Sequence, residues 1–133
     1  MRTVRDVMSG HIEVLRASET VAEAASYLAS HTEDSVPLCL ADGRLAGTVS
    51  TRDIVSKVVA KGLDPQEVRL EDLTEPSDVL ALDAGVSVDD AAAFMSQHHR
   101  SRLPVTDNNR VVGLVTQRDV VRSVSFRPSW VDA

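Results

Sequence analysis

Aromatic residues are nearly missing from this chain of 133 residues: one Trp, one Tyr and two Phe make up 3% of it. An interior must therefore be filled by Val, Leu, Ala and Ile, and the stacking platforms of many single-strand nucleic-acid binders have no material. Cysteine is nearly missing too. Cys39 stands alone between Leu38 and Leu40, which excludes an intrachain disulfide framework and reads as a buried, inert thiol. Lysine is scarce, with only Lys57 and Lys61 beside twelve arginines. Fourteen basic residues against twenty acidic ones give a formal net charge of −6, which disfavours a polyanionic partner and so a nucleic acid. No apolar run approaches the ~18 residues of a membrane span, and the opening "MRTVRDVMSG" lacks the apolar stretch of a signal peptide, so a cytoplasmic protein with no membrane partner is expected.

What the chain does contain is itself, twice. "TVAEAASYLASHTEDSVPL" (20–38) aligns without a gap to "SVDDAAAFMSQHHRSRLPV" (87–105), and after one residue of slippage "GTVSTRD" (47–53) matches "GLVTQRD" (113–119). Each copy opens with a helical spacing of apolar residues, Val21, Ala24, Ala25 and Leu28 in one and Val88, Ala91, Ala92 and Met95 in the other. Thr20 with Glu23, and Ser87 with Asp90, have capping-box spacing. Two apolar runs follow in each copy, joined by Asp42-Gly43 or Asn108-Asn109, dipeptides that tolerate positive φ and suit hairpin turns.

A closing helix is predicted after each heptapeptide, with Ile54, Val55, Val58 and Val59 as one apolar face and Val120, Val121 and Val124 as the other; Gly62 is its stop in the first copy. Leading strands are expected near Ile12–Leu15 and Val79–Leu82. Each copy thus reads strand, helix, strand, strand, helix. The fold class expected is α+β, with two pseudo-symmetric repeats at 1–65 and 66–125 whose small sheets are covered by helices, and a tail at 126–133 that holds Trp130. One copy of about 60 residues is marginal by itself, so the two are expected to pack together, with a ligand cleft between them.

Two readings of the heptapeptide stand side by side. Ser50-x-x-Asp53 and Thr116-x-x-Asp119 fit a helix-capping pattern that needs no ligand. The same junction exposes amides, a hydroxyl and, through Arg52 and Arg118, a guanidinium, all of which suit a phosphate. The carboxylate would repel that phosphate but can accept from two neighbouring sugar hydroxyls. A phosphate beside a vicinal diol describes a nucleotide.

The order apolar-Pro-apolar, turn, Gly, two mostly apolar residues, Ser/Thr, two residues, Asp, present twice over roughly residues 1–124, resembles a tandem CBS-domain pair, or Bateman module. It is similar to small stand-alone bacterial CBS proteins of the hypoxic-response type. The second copy fits the family pattern better, because Thr48 stands where an apolar residue is usual. The resemblance implies a regulatory, energy-sensing module without catalytic residues and with no required cofactor. Its regulatory ligand would be an adenine nucleotide, AMP, ADP or ATP, or S-adenosylmethionine. It implies ribose hydroxyls on Asp53 and Asp119, phosphate or ribose near Ser50 and Thr116, help from Arg52 and Arg118, and an adenine slot lined around Val36-Pro37 and Leu103-Pro104. It also implies a homodimer. The alternative is a ligand-free module that docks on an unidentified protein client such as an enzyme or transporter. His98-His99, with His11 and Cys39, lack regular ligand spacing, and no metal site is expected.

Overall fold

The computed structural model describes residues 1–75 and 79–123. The expected contribution of Val124 to the last helix, and the tail with Trp130, lie outside the described residues. Two compact units are present among the described residues, one made of 12–75, 79–80 and 108–111, the other of 1–11, 81–107 and 112–123.

The first unit is built on the first copy. A short strand β1 (Leu15–Arg16) precedes helix α2 (Val21–Ala29), strands β2 (Ser35–Cys39) and β3 (Leu45–Ser50), and helix α3 (Thr51–Ile54), the segment Val4–Val7 at the start of the chain being α1. β1 runs parallel to β2, and β2 antiparallel to β3, in the order β1-β2-β3. Pairing joins Val36 to Val49, Pro37 to Thr48 and Leu38 to Gly47, then shifts register before Cys39 meets Leu45. Alternation puts Val36, Leu38 and Val49 on the core face. There they meet Val21, Ala24 and Leu28 of α2, with Ile54, Val58 and Leu70, in one apolar cluster. β1 reaches only Leu38 and Cys39, so Pro37 lies where β2 has a single neighbour and no ladder donor is missed.

The second unit repeats this plan with β4 (Leu82–Asp83), α4 (Val88–Gln97), β5 (Arg102–Asp107), β6 (Arg110–Thr116) and α5 (Gln117–Ser123), in sheet order β4-β5-β6. It buries Val88, Ala91, Met95, Leu103, Val105, Val115 and Val120. The expected α+β repeats with small sheets are what the structure has. The leading strands are shorter than expected and begin later, at Leu15 and Leu82, because only two residues of each find a parallel partner. The hairpin turns take the positive φ expected of them, +89° at Gly43 and +52° and +66° at Asn108 and Asn109. Gly62 ends its helix at φ +70°, the following Leu63 amide donating to the Val58 carbonyl.

Each unit also takes its lead segment from across the chain. Val4 and Arg5 amides donate to the carbonyls of Val86 and Ala84, and the Val88 amide to Arg2. In the first unit, Leu70 and Glu71 donate to Glu19 and Ala17, and Val21 to Val68, which is the same pattern. Residues 2–8 therefore correspond to 68–74. Val4 and Leu70 are fully buried at matching positions, and Asp6 and Asp72 accept from the Thr3 and Arg69 amides. The Thr3 amide holds the Asp6 carboxyl below its ordinary range.

The closing helix of the first copy departs from the expected face. After Ile54 it widens into a π-turn, Val55–Val59, closed by the Ala60 amide on the Val55 carbonyl. Ile54 and Val58 are buried, whereas Val55 and Val59 are 54% and 63% exposed. In the second copy Val120 is buried and Val121 is exposed. Ile54, Val55, Val58 and Val59 were expected to form one inward face and Val120 and Val121 part of the other, and the packing takes one side of each helix only.

Candidate functional site

The two heptapeptides end at equivalent strand-to-helix junctions. Ser50 is extended, φ −116° and ψ 162°, and stands as N-cap of α3. Its Oγ accepts from the Asp53 amide at 3.0 Å, and Asp53 Oδ2 accepts from the Ser50 amide at 3.0 Å. At the second junction, Thr116 Oγ1 accepts from the Asp119 amide at 3.2 Å and Asp119 Oδ2 from the Thr116 amide at 3.0 Å. Both are reciprocal capping boxes. The capping reading of the sequence is therefore realised at both places.

These bonds define what remains for a ligand. The amide of Thr51 donates to the Asp34 carbonyl and that of Gln117 to the Ser101 carbonyl. With the Asp53 and Asp119 amides bound to their caps, most first-turn donors are already satisfied, so little of an anion cradle is made of backbone. A phosphate here would depend on the guanidinium groups of Arg52 and Arg118, both exposed and neither in an ion pair among the described residues. Each acid keeps one carboxylate oxygen, Oδ1, outside the capping box, and both residues are half-buried. A carboxylate oxygen that the fold orients but does not consume is a ready hydrogen-bond acceptor.

The two junctions are not identical. Lys57, one α-helical turn beyond Asp53, places Nζ 3.6 Å from Asp53 Oδ1 and donates to the Leu73 carbonyl at 3.1 Å. The matching position in the second copy is Ser123, whose hydroxyl donates to the Asp119 main-chain carbonyl at 2.9 Å. Lys57 was not singled out from the sequence. Its spacing from Asp53, four residues, is the signal that would have found it.

The residues expected to line an adenine slot divide by face. Val36 and Leu103 point into the cores and are 1% and 3% exposed, so their side chains are packing residues. Pro37 and Pro104 are buried as well but stand on alternate positions of β2 and β5, Pro37 opposite the exposed Thr48.

Gly47 and Gly113 have a structural reason. A Cβ on Gly113 would lie 2.5 Å from Met8 Sδ and 2.7 Å from the Ser9 carbonyl oxygen, and one on Gly47 2.7 Å from Thr74 Cγ2. Both strands are crossed at their glycine by equivalent parts of the lead segments.

Three of the four histidines, His31, His98 and His99, stand at helix ends. His31 stacks on Tyr27 with ring centroids 3.9 Å apart, and His98 lies against Phe94 at 4.2 Å. His99 takes φ +55° just beyond α4. Burial pushes the Cys39 thiol up from its ordinary range, which disfavours the thiolate. Among the described residues, no group of three or more His, Cys, Asp or Glu side chains is gathered as a metal site, and no helix is long and apolar enough to cross a membrane.

Comparison with known proteins gives a concordant result. The family model for the CBS domain matches residues 4–60 and again 70–125. Hypoxic response protein 1 of Mycobacterium tuberculosis is 36% identical over 122 residues, 92% of this chain and 85% of that protein. The CBS domain-containing protein YhcV of Bacillus subtilis is 31% identical over 90% of this chain and 84% of its own length. Among solved structures, Hypoxic Response Protein I with two coordinated zinc ions superposes with a TM-score of 0.84 at 35% identity, covering 93% of this chain and all of that one. CBSX2 in complex with AMP superposes at 0.77 with 26% identity, covering 92% of this chain and 96% of that one. The CBS pair of MJ0100, bound to 5-methylthioadenosine and S-adenosyl-L-methionine, superposes at 0.73 with 28% identity, over 92% and 94%.

Proposed function

The chain belongs to the CBS-domain family, with two copies of the domain, and from that premise we propose that it is a regulatory module that senses an adenine nucleotide or S-adenosylmethionine. The observation that carries this reading is the matched pair of junctions. Each offers a half-buried carboxylate oxygen left over from its capping box, an adjacent arginine, and a buried proline on the non-core face of the preceding hairpin. Asp53 and Asp119 accept the ribose hydroxyls, Arg52 and Arg118 meet the phosphates, and Ser50 and Thr116 hold the acids in place. The base rests near Pro37 and Pro104, with Val36 and Leu103 supporting those strands from the core side. The AMP of CBSX2 and the adenosyl ligands of the MJ0100 pair support this choice of chemistry.

Capping and binding are compatible here because they use different oxygens of one carboxylate. The module has no chemistry of its own in this reading. A nucleotide changes the protein only by preferring one arrangement over another, and by no more than its difference in affinity for the two. A Kd on the order of 10 µM, about 7 kcal/mol, suffices for sensing.

Isothermal titration with AMP, ATP and S-adenosylmethionine tests the reading. Saturable heat with at least one ligand is expected, weakened at least tenfold in the Arg52→Ala, Arg118→Ala double variant and lost in Asp53→Ala, Asp119→Ala. No heat with any of the three overturns it and leaves the docking module, in which the heptapeptides act only as caps.

A further inference from the structure

The two junctions carry the same capping box, yet one of them has a cation on the oxygen that the other leaves open. Asp53 Oδ1 faces Lys57 Nζ at 3.6 Å, while Asp119 makes no ion pair among the described residues and has the short, neutral Ser123 at the matching position. The helix type differs at the same place. Residues 55–59 form a π-turn, and 121–123 remain α-helical. π-turns are rare and concentrate at functional sites. Lys57 sits within this one, and its ammonium is directed by a second bond to the Leu73 carbonyl at 3.1 Å. Leu73 ends the 3₁₀ turn Leu70–Leu73, which the Leu70 amide anchors to Glu19. The lysine therefore straps the first carboxylate to the segment that leads into the second copy.

Resting on the nucleotide reading above, we infer that Lys57 makes the two sites unequal: the ribose diol is taken at Asp119, and the Asp53 junction accepts a diol only when Lys57 gives up its oxygen. A diol needs an acceptor with free lone pairs. At both junctions Oδ2 already accepts a backbone amide, so Oδ1 carries most of the remaining capacity. An ammonium close to Oδ1 lowers its acceptor strength and stands in the path of a hydroxyl. Lys57 is a positioning residue in this scheme. It ranks two sites that the sequence repeat alone would make alike.

The readout is preference for the ribose hydroxyl, which a merely structural lysine would leave unchanged. Binding of AMP and of 2′-deoxy-AMP is measured by titration calorimetry on the full chain, with folding of every variant checked by circular dichroism. In the wild type, AMP is expected to bind at least tenfold tighter than its 2′-deoxy form. Asp119→Asn removes that ratio and Asp53→Asn keeps it within twofold. Lys57→Met adds a second ribose-selective event, which Asp53→Asn in the same chain removes. The converse change, Ser123→Lys, places an ammonium at the second junction and is expected to reduce the ratio below threefold; it decides the matter if Lys57→Met does not fold. Equal losses in Asp53→Asn and Asp119→Asn, or an unaltered isotherm in Lys57→Met, overturn the inference while the nucleotide reading stands. Absence of heat with AMP and 2′-deoxy-AMP in the wild type overturns it, and with ATP and S-adenosylmethionine also silent the nucleotide reading falls too.

Discussion

A single missing carbon atom decides how the lead segments lie. Gly113 is buried in β6, and an added Cβ would enter both Met8 and the main-chain oxygen of Ser9, which cannot rotate away. Gly47 meets the Thr74 side chain and has φ +154°, which L side chains rarely adopt. Gly113→Ala is therefore expected to cost about 1–3 kcal/mol of stability, as overpacking does. Gly10→Ala, where nothing lies within 4 Å, is expected to change stability by less than about 0.5 kcal/mol. Urea unfolding followed by circular dichroism checks the contrast, and similar values for the two would refute the crowding. The partners of Gly47 and Gly113 are more than 25 residues away along the chain, so nothing in the heptapeptide itself reports them. Lys57 was legible in principle, by its spacing from Asp53, but its second partner, Leu73, was not.

Among the elements, the α2 and α4 helices, the hairpins and their turns were readable because each is specified by neighbouring residues: a cap, a helical apolar spacing, a dipeptide suited to positive φ. The helix caps carry a direct test. Ser50→Ala and Thr116→Ala each delete the hydroxyl that accepts from the acid's amide, and each is expected to lower stability by about 0.5–2 kcal/mol, whereas Ser50→Asp, an equally good cap, retains most of it. Thermal melts decide it, and a wild-type midpoint in Ser50→Ala would show that the box contributes nothing. Elements that depend on a distant partner were read less well. β1 and β4 shrink to two residues because only two residues of each pair with the longer parallel strand beside them. The correspondence of residues 2–8 with 68–74 escaped the repeat comparison because it rests on only a few matched positions, Val4 with Leu70 and Asp6 with Asp72 among them. Its meaning appears only when both segments are seen to donate to equivalent carbonyls.

For the whole molecule, the residue that the sequence misplaced is the most informative. Val55 was assigned to an inward face with Ile54 and Val58, yet it is 54% exposed, and Val121, its counterpart in the second copy, is 64% exposed. Scattered apolar residues at a surface need no explanation, but the same exposure at matched positions of both copies, extended in the first by Val59 and Leu63, is a pattern. We propose that a second copy of this chain covers these residues, since a twofold contact buries the same side chains on both partners and needs no other protein. In size-exclusion chromatography with light scattering at tens of micromolar, the protein is expected at twice the 14.4 kDa chain mass. Val55→Glu with Val121→Glu puts a carboxylate at each of the matched exposed positions and is expected to elute at the single-chain mass with an unchanged circular dichroism spectrum, because neither side chain belongs to a core. A wild type already at the single-chain mass, or a double variant still dimeric, would show that these valines face water by accident of sequence.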